Sequence, residues 1–275
     1  MTQSPQEPGS HFADVVNVPA LLEETPKLRD HGLLSVLHKK FWGKSMADEE
    51  QEWRSSLPPT PTMDGDTDDL MQDDGDDALD EVGMDGDVAQ APGCYVLDLG
   101  HPFPKLWIRP EYILIYDYLD DYYRKPSHLR RAPAAVITGQ PGVGEFQAFL
   151  LRSPPTSSFP TGKSTWMLYA LRRRLSEMKP VIWYFQEQCH LFVNEGVFVI
   201  KRDFGLSNFK TIMWTLVDSD QARDGVPSLL VSHFTPLYVI YTTSPCRERW
   251  SRLHKTVRQI TIIMSSWTRK EILHA

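Results

Sequence analysis

Two halves of a phosphate-binding loop lie between Gly139 and Thr165, and they restrict the possible folds of the chain more than any other feature. The segment reads GQPGVG, then the seventeen residues 145–161, then GKST. Without those seventeen residues, and with the flanking glycines merged, it reads GQPGVGKST, which matches the pattern G-x-x-x-x-G-K-[ST]. In such a loop the backbone N–H groups and the positive end of the following helix surround phosphate. The apolar run 134–137 predicts a buried strand leading into the loop.

The motif assigns a role to each of its residues. The lysine, Lys163, reaches the outer phosphates, and the hydroxyl of Ser164 ligates Mg²⁺. The predicted nucleotide-binding residues are Gly139, Gly142, Gly144, Gly162, Lys163, Ser164 and Thr165.

The residues that split the motif have the character of a translated intron. A glycine codon followed by Glu145 can contain the start of an intron, and Thr161-Gly162 can contain its end. The codons of 157–160 can be written almost wholly in pyrimidines, as the tail of an intron often is. Our hypothesis is that residues 145–161 are an unspliced intron, and the alternative is a surface loop inserted in a strand-to-helix turn. Transcript reads that carry the insert at full abundance would contradict the intron.

Charge is unevenly distributed along the chain. Between Asp64 and Asp87 there are twelve acidic residues and no Lys or Arg. The remainder carries 29 basic and 36 − 12 = 24 acidic residues, a net +5, although the whole chain has −7. Like charges repel one another and stay solvated, so 61–92 is predicted to be a disordered acidic linker. Its alternative role is docking to a basic protein partner.

Two further segments flank this linker. Residues 1–60 are predicted to be disordered over 1–19 and to form one or two short, loosely attached helices over 19–42. Residues 93–275 are predicted to form one α/β domain.

Cysteine usage and hydropathy bear on the compartment. Cys94, Cys189 and Cys246 are far apart and form no C-x-x-C pair, which argues for a reduced intracellular protein and against disulfides or zinc. The N-terminus lacks the basic start and apolar core of a signal peptide. No apolar run approaches the ~20 residues of a membrane span. We expect a protein of the cytoplasm or nucleus without membrane contact.

Strand and helix patterns alternate from residue 95 onward. Strands are predicted at 95–99, 106–108, 181–185, 237–241 and 260–264, with two more around the turn 194–196. One helix is predicted to begin at 109–111, and aromatic residues spaced three or four apart are predicted to face its core side. A second helix is predicted to span 163–179, with Arg172–Arg174 mostly on its solvent face.

A second candidate for phosphate chemistry is the apolar run 209–220, which ends in acids. An acid at the end of a buried parallel strand lies at the ligand-binding edge of a sheet. Asp218 is predicted to hold Mg²⁺ through water, and Asp220 lies close enough to help. At the end of the 237–241 strand, Thr242 or Thr243 either contacts the γ-phosphate or attacking water, or simply ends the strand.

The order of these motifs resembles the Crinkler-type and retrotransposon-hot-spot-type P-loop proteins over roughly residues 95–275. The resemblance depends mainly on two motifs, the split P-loop and TLVDSD. The other segments contribute only through their order along the chain: the VIWY strand, the FVNEGVF hairpin, YTTSP-RERW and IMSSWTRKEI. The resemblance implies a three-layer α/β/α ATPase core of the additional-strand class, whose Asp218 strand is not adjacent to the P-loop strand. No glutamate follows Asp218, so Asp220 is the predicted general base. The resemblance also implies a helical region beyond the WT-x-x-EI segment, which this sequence lacks.

The leading expectation is binding and hydrolysis of ATP with Mg²⁺, with catalysis by positioned charge from Lys163, Asp218, Asp220 and Thr243. The split loop is expected to impair this activity. One alternative is a non-catalytic protein-interaction module. The other is a nucleic-acid-binding protein that uses the basic clusters Arg124–Arg131 and Arg247–Arg252.

Overall fold

The computed structural model describes residues 11–16, 26–28, 32–46, 95–99, 105–124, 134–139, 163–201, 208–219, 222, 225–231 and 236–266. The helices are α1 (Phe12–Val15), α2 (Leu33–Phe41), α3 (Pro110–Arg124), α4 (Lys163–Ser176) and α5 (Ser251–Thr256), with short 3₁₀ helices at Ser228–Leu230 and Arg247–Trp250. The strands are β1 (Tyr95–Asp98), β2 (Lys105–Ile108), β3 (Ala134–Gly139), β4 (Val181–Phe185), β5 (Gln188–Val193), β6 (Gly196–Ile200), β7 (Met213–Asp218), β8 (Leu237–Thr242) and β9 (Gln259–Met264).

Seven of these strands form one mostly parallel sheet in the order β6-β5-β4-β7-β8-β3-β9. Strands β4, β7, β8, β3 and β9 are parallel to one another, and β5 and β6 extend the sheet beyond β4 in antiparallel fashion. Strands β1 and β2 form a separate antiparallel pair. The predicted α/β class with a mostly parallel sheet is confirmed. Strands β3, β4, β7 and β8 are buried along their whole length, which explains why their sequences are continuously apolar.

Alternate residues of the central strands β3, β4, β7 and β8 enter two separate hydrophobic clusters. In β3, Ala135 and Ile137 pack with α2, α3 and α4, whereas Ala134 and Val136 pack with α1 and Leu253 of α5. Successive side chains of a strand point to opposite faces, so the two clusters mark the two faces of the sheet. The face that packs with α2, α3 and α4 is called the α4 face, and the face that packs with α1 and Leu253 is called the α5 face.

The N-terminal segment is more ordered than predicted. Disorder over residues 1–19 is wrong for 11–16, where Phe12 and Val15 are 1% and 0% exposed in the α5-face core. The backbone N–H of Phe12 donates to Glu195 at 2.9 Å. A short helix within 19–42 is confirmed by α2, whereas α1 lies in the segment predicted to be disordered. The cores that hold both helices are formed by distant residues, which a local pattern does not show.

Loose attachment of α2 is also wrong, because α2 is bonded to the turn between β5 and β6. The ring Nε2 of His38 lies 2.7 Å from the carbonyl oxygen of Val193. Trp42 Nε1 donates to Asn194 Oδ1 at 3.1 Å. Residues 26–28 pair with the outer edge of β6 through two backbone hydrogen bonds, so the N-terminal segment covers this edge of the sheet.

The fold is expected to lose stability in mild acid. Burial lowers the pKa of His38 below its ordinary 6.5, against the opposing effect of the Val193 hydrogen bond, and burial likewise lowers the pKa of His190. The unfolded chain therefore binds protons more readily, so the free energy of unfolding falls as the pH drops below 6.5. Urea titrations at about pH 7.5 and about pH 5.5 measure the change. His38→Gln is expected to reduce the change in the free energy of unfolding between the two pH values. His254→Gln, at an exposed position, is the control and is expected to keep the change seen in the unaltered chain. An equal change in both variants and the unaltered chain would contradict the assignment of this effect to His38.

The predicted solvent exposure of Arg172–Arg174 is wrong. Arg172 and Arg174 are only 4% and 2% exposed. Their guanidinium carbons lie 4.3 Å and 4.8 Å from the ring centroids of Phe41 and Trp214. Helix α4 contacts α2, α3, β2 and the sheet, so its charged side is covered as well as its apolar side.

Several predictions fall on residues outside the described ranges. They concern the linker 61–92, the insert 145–161, most of the basic cluster after Arg124, and the segment from residue 267 onward. Within the described ranges, no helix is both long and apolar enough to cross a membrane.

Candidate functional site

The C-terminal ends of β3, β8 and β7 lie side by side at one edge of the sheet. Ile137 is in register with Thr242, and Thr242 with Asp218. The backbone N–H of Thr243 donates to the carbonyl of Ile137, and that of Ser219 to the carbonyl of Thr242, each at 2.9 Å. Strand β8 therefore separates the Asp218 strand from the strand that enters the split motif, as the resemblance implies. This edge is where open α/β sheets bind their ligands.

The first residue of the split motif, Gly139, and its lysine, Lys163, are in contact where β3 ends and α4 begins. Helix α4 starts at Lys163, whose Nζ donates to the carbonyl oxygen of Gly139 at 3.3 Å, although the two residues are 24 positions apart. Ser164 and Thr165 follow in the first turn, the former partly exposed and the latter buried. The other predicted site residues, Gly142, Gly144, Gly162 and Asp220, lie outside the described ranges.

Gly139 is also required by the packing of the neighbouring strand. A Cβ atom at this position would lie 2.7 Å from the carbonyl oxygen of Met264 at the end of β9. That separation is far shorter than a van der Waals contact, so any larger residue would displace β9. Packing against β9 therefore explains the glycine at this position independently of any role in binding phosphate.

Strand alternation decides which predicted side chains share a face. Leu216 of β7 and Ile240 of β8 belong to the α4-face cluster. Asp218 and Thr242 stand two residues further along these strands and therefore keep that face. Thr243, one residue beyond Thr242, is assigned by the same alternation to the α5 face. Asp218 and Thr242 thus share the side of the sheet on which α4 begins.

Three buried hydroxyl groups at this edge have no hydrogen-bond partner among the described residues. Thr138, Thr242 and Thr243 are 5%, 1% and 0% exposed, and none of their hydroxyls has a hydrogen-bond partner among the described residues. A buried polar group without a partner costs about 1–3 kcal/mol. A polar ligand or ordered water at the edge would recover part of this cost, so the edge is suited to receive one.

The donor types at the edge fit a magnesium ion carried by a nucleotide. Within the part of the chain that the structure describes, there is no group of three or more His, Cys, Asp or Glu that could hold a metal. Mg²⁺ bound with a nucleotide needs only one or two protein oxygens, since water and phosphate supply the others. The Ser164 hydroxyl and the Asp218 carboxylate are oxygen donors of the required kind.

Sequence reasoning missed a buried arginine beside this edge. Arg109, 3% exposed, donates to the carbonyls of Ser265 and Ser266 at 2.9 and 3.2 Å. Glu111 accepts the backbone N–H of Ser265 at 2.7 Å. The start of α3 thus holds the residues that follow β9, next to Gly139. The partners are more than 150 positions apart in sequence, so no local signal could have revealed the contact.

The resemblance drawn from the sequence rests on the split loop, TLVDSD and the order of the motifs. The structure adds one observation that concerns this resemblance: in the strand order β9-β3-β8-β7-β4, β8 lies between β3 and the Asp218 strand β7. Comparisons of the chain with protein-family models, with curated proteins and with solved structures found no match.

Proposed function

We propose that this chain is a P-loop protein that binds ATP with Mg²⁺ at the edge formed by the ends of β3, β8 and β7 and the start of α4. The observation that carries the proposal is the contact between Lys163 and Gly139, with Asp218 and the unpartnered Thr242 hydroxyl on the same face. Hydrolysis coupled to a conformational change is part of the proposal. The intact chain is proposed to perform it poorly because its loop is split.

Phosphate is attracted to this edge by Lys163 and by the first turn of α4. The helix is 14 residues long, and its first N–H groups have no partner within the helix. Their partial positive charge and the ammonium group of Lys163 favour an anion at the same place. The lysine stays bound to the Gly139 carbonyl until phosphate offers a better acceptor.

The remaining polar groups hold the reacting end of the nucleotide. A bound Mg²⁺ would offset the negative charge of the outer phosphates. Ser164 and Asp218 would hold that ion, and Thr242 would donate its unused hydroxyl proton to a phosphate oxygen or to the attacking water. Asp220 is proposed to orient that water, and Thr243 stays an alternative for the role of Thr242.

The insert can be removed without moving the strand or the helix. Deleting residues 145–162 leaves residues 140–144 to connect Gly139 to Lys163. Five extended residues span up to about 17 Å. The lysine side chain already touches the Gly139 carbonyl at 3.3 Å, so the gap to be closed is shorter than this reach.

The site is tested by substitutions made in the chain that lacks residues 145–162. Lys163→Ala removes a charge-assisted hydrogen bond to phosphate and is expected to weaken ATP binding by about 10- to 100-fold. Asp218→Asn is expected to remove most of the dependence of ATP binding on Mg²⁺. Isothermal titration with and without MgCl₂ measures both effects.

Lys201→Ala is the matched control, because Lys201 is an exposed lysine after the far edge strand β6. This variant is expected to bind ATP with the same affinity as its parent, the chain that lacks residues 145–162. Equal affinities for the Lys163→Ala and Lys201→Ala variants would contradict the proposed site. Absence of ATP binding by the parent itself would favour a non-catalytic interaction module.

A further inference from the structure

The segment between β8 and β9 contains three described arginines whose side chains have no partner among the described residues. Among the arginines whose side chains the structure describes, those outside this segment each contact an acid, a carbonyl or an aromatic ring; they are Arg109, Arg124, Arg172, Arg173 and Arg174. The three within the segment, Arg247, Arg249 and Arg258, have no such side-chain contact. Within the described part of the chain, the arginines whose side chains make no such contact thus all belong to this segment.

This segment, residues 244–258, forms a basic surface that spans the height of the sheet. Its sequence contains five Lys or Arg and one acidic residue, Glu248. It leaves the C-terminal end of β8, where the candidate site lies, and returns to the start of β9. Since these strands are parallel, the segment covers about 20 Å, the length of a six-residue strand. Arg247, Lys255 and Arg258 are exposed along it and Arg249 is partly exposed.

The large apolar residues of the segment face inward. Trp250 and Leu253 are 9% and 0% exposed and pack in the α5-face core. The described side chains of the segment therefore present charge to the solvent, together with the imidazole of His254 and without an exposed large aliphatic side chain. That combination restricts the kind of partner that this surface fits.

We propose that residues 244–258 bind the phosphodiester backbone of a nucleic acid without reading its sequence. Backbone phosphates are bound by Lys and Arg through charge alone. An amphipathic membrane-binding segment also needs an exposed apolar face, and a protein interface needs an apolar or aromatic centre. The described side chains of the segment expose neither. Phosphate contacts carry no sequence information, so no sequence preference is expected.

The proposal is tested on the full chain with a labelled oligonucleotide of mixed sequence, about 20 residues long, by fluorescence anisotropy at several salt concentrations. The triple variant Arg247→Gln, Arg249→Gln, Arg258→Gln is expected to bind at least about tenfold more weakly. For a duplex, the slope of log K against log salt is expected to become shallower by about 0.9 for each phosphate that is no longer neutralised, so by about 2–3 in total. These side chains form no ion pair or hydrogen bond with the described residues, so the variant is expected to fold, which circular dichroism checks.

The matched control is the triple variant Lys39→Gln, Lys40→Gln, Lys44→Gln. It makes the same change in net charge at exposed positions in and after α2, on the α4 face. It is expected to keep the parent affinity and salt slope. Lys163→Ala is expected to leave oligonucleotide binding unchanged, which separates this surface from the proposed ATP site.

Three results would overturn the proposal. The first is an unchanged affinity in the arginine triple variant, and the second is an equal loss in both triple variants, which would show a dependence on net charge alone. The third is loss of binding to vesicles of phosphatidylserine and phosphatidylcholine in the arginine variant while oligonucleotide binding persists, which would assign the surface to anionic lipid.

Discussion

Replacing Arg174 with alanine is expected to lower the free energy of unfolding by about 3–5 kcal/mol, because it breaks a buried charged network from one side. The Arg174 side chain donates to the carbonyl of Pro180 at 3.0 Å and to Asp120 at 3.4 Å. Its guanidinium also stacks over Trp214 in the α4-face core. In the variant, the Pro180 carbonyl would lose this donor, and a cavity would form beside the indole ring of Trp214. A loss of this size is a large part of the 5–15 kcal/mol that stabilises a typical domain.

Urea denaturation measures the effect, and Arg124→Ala is its control. Arg124 contacts the same acid, Asp120, at 2.9 Å, but its side chain is 47% exposed. Solvent screens such a pair, so this variant is expected to lose less than about 1 kcal/mol. If both variants shift the urea midpoint equally, burial of Arg174 does not contribute as proposed.

The contrast between these arginines shows where sequence patterns stop being informative. The strands β3, β4, β7 and β8 were predictable because burial on both faces makes their sequences continuously apolar. The run Arg172–Arg174 was misplaced because a helical pattern assigns charge to solvent. What reverses that assignment is a pair of rings from distant elements, Phe41 of α2 and Trp214 of β7.

The residue types of the candidate site can be identified in the sequence, but their arrangement cannot. The sequence pointed to Lys163 and Asp218 because each belongs to a recognisable local pattern. It could not distinguish Thr242 from Thr243, since both are hydroxyls at a strand end. Strand register separates them: it places Thr242 beside Asp218 and on the same face. The order of strands is set by packing between distant segments, so local sequence patterns do not reveal it.

Deleting residues 145–162 is expected to raise the affinity for ATP by about 100-fold or more. In the intact sequence, the residues GQPGVG and the lysine of GKST are separated by the insert. A P-loop binds when the backbone N–H groups of both parts curl around a single phosphate. Recovering two charge-assisted hydrogen bonds, at about 1.5–3 kcal/mol each, gives an effect of about this size. Titration of ATP with MgCl₂ into the full chain and the shortened chain measures it.

The size of the gain separates the two origins of the insert. The hydrogen bond between Lys163 and Gly139 already places the strand and helix for a short loop, so a foreign insert should be removable with stronger binding and no loss of stability. A genuine surface loop predicts the reverse, because the shortened chain would be less stable and would bind ATP no more tightly. The shortened chain carrying Lys163→Ala must lose the gain if the added affinity comes from the restored loop. Equal ATP binding by the full and shortened chains would refute the hypothesis that residues 145–161 interrupt a working site.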